Sequence, residues 1–400
     1  MTGRVFSCHF SVVSLLASAA ISFCSAAGYS SPSPGTGGRA LWVVRTSLLS
    51  RESINRLVEK ASRGGFNTLF VQVCGRADAY FPSRVFPPAK DCRALLESGF
   101  DPLAYVLEKA RAKHIAVHAW VNTFLVWSSS GRHESQRHVL NRHPEWMMVD
   151  RNGISLSSYG QSRIKKLNMT GIFLSPANKE ACRLLEEFIL DLAERYPLDG
   201  IHLDYLRYPI ETVDFSPAAR EEFKARSGID PLDLFSGSDG VNGKIQQAEY
   251  QEILRKWTAF RAELITRFLA DLAGKLNGRK PRLIRTAAVK PDLDSAYKIY
   301  GQDWVRWVKD GLLDIILPMA YSTNPEVVYE QIATACREVG PDHVWAGLRA
   351  YNVPVSGIIE RTQKIRPLNP AGYCFFSYDG TKDNPLFFER MRYLFPDRRP

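Results

Sequence analysis

The sequence predicts an α/β protein folded as one (β/α)8 TIM barrel, and three observations carry that expectation. From residue 40 onward, eight short apolar runs alternate with amphipathic helical patterns and the series closes near the C-terminus. No Gly-rich phosphate fingerprint follows the first run, as the rival doubly wound open sheet would favour. Polar and aromatic residues gather where the apolar runs end, which is where a barrel enzyme needs them.

Residues 40–44 read as the first strand and 52–63 as its helix; 68–73 are the second strand, followed by a loop and a helix over 102–113. Residues 115–121 form the third strand. A helix over 176–195, with Ser175 as N-cap and Pro176 at its first position, leads into the fourth strand within 199–209. A helical region over 245–276 precedes the fifth strand at 283–289, and a short helix at 304–309 precedes the sixth at 314–321. A helix over 325–338, the seventh strand at 343–348, a helix over 355–365 and the eighth strand at 372–377 complete the series. Two long insertions, about residues 124–174 after the third strand and 210–243 after the fourth, leave from strand ends on the catalytic face. The first holds Trp127, His133, His138, His143, Trp146 and Tyr159, which suits a cleft wall.

The N-terminus has a processing pattern. A positive start to Arg4, an apolar run over 10–23 and Ser25-Ala-Ala27 read as a signal peptide over residues 1–27. Residues 28–38 are a flexible Ser/Pro/Gly linker, and 39–395 the barrel. Export to the periplasm or cell envelope follows. The apolar run is short for a membrane span, so the mature chain is expected to have no transmembrane segment. Cys24 raises a lipid anchor, but Phe23 stands where such a site wants a small residue.

Hydrophobic content of 45% and charged content of 24% match an ordinary globular protein. The formal charge of +10 is not gathered in one block, so it reads as a generally basic surface, with an acidic-ligand footprint as the rival. The absence of zinc-finger, Walker and aromatic-basic RNA signatures argues against nucleic acid as a partner. Beyond the signal peptide stand Cys74, Cys92, Cys182, Cys336 and Cys374, an odd set without metal-type spacing. Cys74 and Cys92 could pair across a loop; buried free thiols are the alternative. No cofactor and no metal is expected.

Strand ends supply the candidate site. Along the fourth strand alternate side chains share a face, so His202 and Asp204 point into the barrel when Leu203 packs on the helices. At the other ends stand Arg45; Gln72, Arg76 and Asp78; His118, Trp120 and Asn122; Tyr205 and Arg207; Lys290; Tyr321; and Tyr378 with Asp379. Aromatics mixed with hydrogen-bonding groups suit sugar rings, whose C–H faces stack on indole and phenol. Asp199 and Asp314, at strand starts, read as floor residues that serve stability. His118 and His202 read as hydrogen-bonded interior groups, and Arg207 as a partner for Asp204 or for an anionic substrate group.

Several stretches together resemble the bacterial glycoside-hydrolase-like family 10 (GHL10) barrels over about residues 39–390. They are Phe70-Val-Gln-Val-Cys-Gly-Arg-Ala-Asp-Ala-Tyr-Phe-Pro-Ser83, Phe100-Asp-Pro-Leu-Ala104, Val117-His-Ala-Trp-Val-Asn122, His143-Pro-Glu-Trp146, Asp199-Gly-Ile-His-Leu-Asp-Tyr-Leu-Arg-Tyr-Pro209 and Asp314-Ile-Ile-Leu-Pro-Met-Ala-Tyr321. The resemblance implies an exported or envelope enzyme acting on glycan strands, with peptidoglycan a substrate type, and it places Asp78, Asn122, Asp204, Tyr205 and Tyr321 at the cleft. The chain departs from it at Cys74, where many members carry Arg, and at Asn122-Thr-Phe-Leu, where Asn-Pro-Tyr-Arg is common. The fourth-strand segment is also similar to the chitinase-type family 18 signature, but Leu206 and Arg207 stand where the acid glutamate of that family would be.

The expected function is glycosidic-bond hydrolysis in a polysaccharide or peptidoglycan-type glycan, with a poly- or oligosaccharide as substrate. Such chemistry usually takes two carboxyl groups. Asp204 is one; Asp78 is the first choice for the other, then Asp379, Asp292 and Glu211. Gln72, Arg76, Trp120, Asn122, Tyr205, Arg207, Tyr321 and Tyr378 are the expected substrate contacts. The competing class is a non-catalytic glycan-binding barrel, and a second carboxylate near Asp204 is what separates the two.

Overall fold

The computed structural model describes residues 37–128, 132–235 and 247–394. The expected signal peptide, Cys24, most of the linker and the segment beyond residue 394 lie outside the described residues.

Among the described residues ten strands form: β1 (Gly38–Val43), β2 (Thr68–Cys74), β3 (Ala116–Asn122), β4 (Leu125–Trp127), β5 (Ile172–Phe173), β6 (Gly200–Asp204), β7 (Ile284–Val289), β8 (Ile315–Ala320), β9 (Trp345–Arg349) and β10 (Gly372–Phe376). Eight of them close a parallel barrel in the order β1-β2-β3-β6-β7-β8-β9-β10, while β4 and β5 pair antiparallel outside it. Period-two alternation sorts each barrel strand between two cores. Leu41, Val71, Val117 and Leu203 pack with the surrounding helices; Ala40, Trp42, Phe70 and Trp120 fill the interior. The parity expected of the fourth strand is observed, with His202 lying against the rings of Trp42 and Phe70.

The barrel floor explains why β1 starts earlier than the sequence suggested. Gly38, taken for the linker's last residue, is instead the first residue of β1 and pairs with Gly372. A Cβ at either glycine would come within 2.3 Å or 2.6 Å of the Trp345 ring, so both positions require glycine for that indole to fill the floor. Also at strand starts, the Asp199 carboxylate accepts the Val117 N–H at 2.8 Å and that of Asp314 accepts the Arg285 N–H at 2.7 Å. These aspartates therefore serve strand pairing, as their position suggested.

A second correction concerns the helix before β6, which runs Lys179–Arg195 with Asn178 as its N-cap. Ser175 does not cap it: the serine hydroxyl binds the Asp214 carboxylate and accepts the Ala177 N–H. Asn178 instead satisfies the orphan N–H of Ala181, accepting it on Oδ1 at 2.9 Å.

The two insertions are laced together. Phe215 donates its N–H to the Val149 carbonyl at 2.8 Å, and buried Asp214 accepts from Ser175, from the Ser216 N–H and from the Val149 N–H. Phe215 and Phe223 then pack on Trp257 of the long helix Gln247–Arg279. All five described cysteines are free thiols, Cys74 and Cys92 included. No described helix is long and apolar enough to cross a membrane.

Candidate functional site

At the C-terminal mouth of the barrel lies a cleft of about 540 Å³, within the range of ligand sites. Asp204, the last residue of β6, faces into it and is 8% exposed. Tyr205 then turns the chain with a φ of +51°, a left-handed conformation rare for a residue with a side chain. That turn folds the Tyr205 N–H back onto Asp204 Oδ1 at 2.7 Å. It also ends β6 and swings Arg207 round, so that its Nη1 lies 3.6 Å from the same carboxylate oxygen and its guanidinium covers the Tyr205 ring.

Aromatic rings surround the carboxylate. Tyr321 stacks on Phe376 with centroids 5.7 Å apart, and Trp42 meets both rings edge-on. From β1 to β3 runs a polar chain: Arg45 donates to Gln72 Oε1 at 2.7 Å, while Gln72 and the Trp120 indole both donate to Asn122 Oδ1. Asn122 Nδ2 in turn donates to the Gly75 carbonyl at 2.8 Å, which locks its amide orientation. Beneath this layer Trp42 donates to His202 Nε2 at 3.0 Å, so the neutral His202 carries its proton on Nδ1 and gives it to Thr286 Oγ1.

Burial sets the electrostatics. It raises the Asp204 pKa above its ordinary value, against the opposing pull of Arg207, the Tyr205 N–H and Lys290. Burial, with the Arg207 charge nearby, lowers Lys290 to about 8. The Tyr321 phenol is pushed well up by burial and by Asp204, and burial takes the interior His118 down to about 3. Both interior imidazoles are thus neutral at physiological pH, which suits framework groups rather than acid catalysts.

Of the expected site residues, Gln72, Trp120, Asn122, Asp204, Tyr205, Arg207 and Tyr321 line the one cleft. Asp78, Arg76 and Tyr378 do not. Asp78 is fully buried, and its oxygens are taken by the Arg76 N–H and guanidinium. Arg76 is thereby spent on Asp78 and lies over the Trp127 ring. Tyr378 opens a short helix capped by Ser377, and its ring packs beside Phe388. The other carboxylates considered also serve structure: Asp379 accepts from the Val44 N–H and Ser47, Asp292 caps a helix, and Glu211 is exposed away from the lining. Asp204 is therefore the lone carboxylate among the described residues that line the cleft. Trp42 and Phe376 also line the cleft, though neither is among the expected site residues; Trp42 carries a signal for it in the inward parity it shares with Ala40. Among the described residues no group of three or more His, Cys, Asp or Glu is placed to hold a metal ion.

A model of the family described as glycosyl hydrolase-like 10 matches residues 39–363. The chain belongs to the glycosyl hydrolase-like 10 family. Among curated relatives it is 23% identical over 311 residues to glycosyl hydrolase YngK of Bacillus subtilis, covering 74% of this chain and 55% of that protein. It is 24% identical over 287 residues to glycosyl hydrolase DigH of Escherichia coli K12, covering 69% of this chain and 59% of that one. The chain thus spans somewhat more than half the length of both. Its fold is similar to that of the PgaB (BpsB) glycoside hydrolase domain from Bordetella bronchiseptica, with a TM-score of 0.66 and 15% identity over 90% of this chain and 99% of that one. Family and fold together make this a (β/α)8 barrel of the glycosyl hydrolase-like 10 family.

Proposed function

We propose that the chain is an exported glycoside hydrolase that cleaves glycosidic bonds in a polysaccharide or peptidoglycan-type glycan, with Asp204 as the proton donor. One observation carries this reading: a carboxyl group at a strand end, facing an aromatic-lined cleft, with its proton held to higher pH by burial. A general acid needs that property, because it must still carry the proton when the leaving oxygen requires it. The stacked Tyr321 and Phe376 offer a face for a sugar ring, and Trp120, Asn122 and Gln72 fix the polar side of the cleft. Arg207 opposes the effect of burial and keeps the carboxyl from being locked in its neutral form.

Most glycosidases flank the bond with two carboxyl groups. With Asp204 the one carboxylate among the described residues lining the cleft, the nucleophile in this reading comes from the substrate, as an acetamido oxygen beside the anomeric carbon, or from water. The same lone carboxylate favours a second reading, a glycan-binding barrel of the cell envelope that does not cleave. Incubating the purified protein with peptidoglycan and a panel of oligosaccharides, with product masses read out, separates the two. New reducing ends are expected; tight binding without any product would overturn hydrolysis and leave the binding barrel. Residues 1–27 direct export in this account, with cleavage after Ala27.

A further inference from the structure

The cleft's charge is out of balance. Among its described lining residues stand Arg45, Arg207 and Lys290, against one carboxylate, that of Asp204. Arg45 spends one nitrogen on Gln72. Arg207 is 8% exposed, yet its buried Nη1 has no hydrogen-bond partner among the described residues, since Asp204 lies beyond bonding distance at 3.6 Å. Among the described residues Lys290 makes no ion pair; its ammonium rests over the Tyr300 ring at 4.5 Å. A guanidinium nitrogen buried without an acceptor is costly, and two cations close enough to repel add to the cost. An anion bound in the cleft against both would offset these costs.

We propose that the cleft selects glycans that carry a carboxylate on the sugar unit beside the scissile bond, held between Arg207 and Lys290. This rests on the glycan-cleft reading above and gives it a substrate class. The planar guanidinium suits a carboxylate, which it can meet with two parallel hydrogen bonds, and the ammonium closes the pair as a point charge. Asp204 stays available, because the substrate carboxylate takes up the positive field that would otherwise keep its proton off. The carboxylate can belong to C6 of a uronic acid or to an ether-linked acid substituent on the ring.

The test is calorimetric binding of two acidic oligosaccharides, one uronate-containing and one bearing an ether-linked acid, each beside its carboxyl-reduced counterpart. At least one acid should bind about tenfold or more tightly than its reduced form, the scale of a charge-assisted hydrogen bond; whichever does so fixes where the carboxylate sits. Lys290→Met and Arg207→Met should each bring that ratio down toward one by weakening the acidic ligand alone. Arg207→Lys should keep part of it. Equal affinity for acid and reduced forms, no binding of either acid, or variants that weaken both forms alike would overturn the proposal. Product analysis in the same samples keeps the two readings apart. Cleavage of acidic and reduced forms alike sinks the selectivity and leaves the hydrolase; acid-selective binding without product does the reverse.

Discussion

At Asp204 burial and charge pull in opposite directions, and the balance has a measurable consequence. The unfolded carboxyl loses its proton near 3.8, while the folded one holds it to higher pH. Between those values the folded state binds a proton that the unfolded state has released. The contribution of this group to stability is therefore fully present below 3.8 and is lost as pH rises through the folded pKa. In urea titrations from about pH 3 to pH 7, Asp204→Asn should gain on wild type as pH rises; a difference that stays flat would contradict the raised pKa. Lys290 runs the other way. Its unfolded value is 10.5 and its folded value about 8, so at neutral pH the buried ammonium destabilises the fold. That penalty is relieved as pH rises from about 8 to 10.5. Lys290→Met should be more stable than wild type at neutral pH and lose that advantage across this window.

Strands and helices were legible because their periodicity is strong: every barrel strand lies within two residues of where alternation put it. Side chains just past the strands were not. Ala77, with a φ of +53°, turns the chain before Asp78 and sends that carboxylate back to the Arg76 amide. Ser377 starts a helix that carries Tyr378 away from the mouth. Such turns depend on local backbone conformation, which residue spacing does not encode. Trp42 and Phe376 were missed for another reason, since an aromatic in a barrel strand has the same composition whether it fills the core or floors a cleft. The floor offers a test at this scale. Gly372→Val should push into the Trp345 ring and cost on the order of 1–3 kcal/mol by overpacking, seen as a lower Tm with unaltered glycan affinity. Asp214→Ala strips the insertions of their shared acceptor and should cost about 1–3 kcal/mol; an unchanged Tm would show that the two insertions hold together without it.

Over the whole molecule, a (β/α)8 barrel supplies a rigid ring of strands, and the chemistry is gathered at one mouth from β1, β2, β3, β6, β7, β8 and β10. Family and fold were readable from motifs spread along the chain, because a closed barrel brings every strand end together whatever its distance in sequence. The identity of a second catalytic group was not, for the described residues lining the cleft include one carboxylate where two were expected. Export is a prediction at this scale: N-terminal sequencing of the protein from an expressing bacterium should start after Ala27, and a cytoplasmic product beginning at Met1 would contradict it. Asp204 is the group on which the proposed hydrolysis turns, and one comparison tests its role most directly. On a glycan that the wild type cleaves, Asp204→Asn should lose about 10²–10⁴-fold in kcat, with glycan affinity close to wild type and a Tm at neutral pH no lower than wild type. Full activity in that variant would contradict the account.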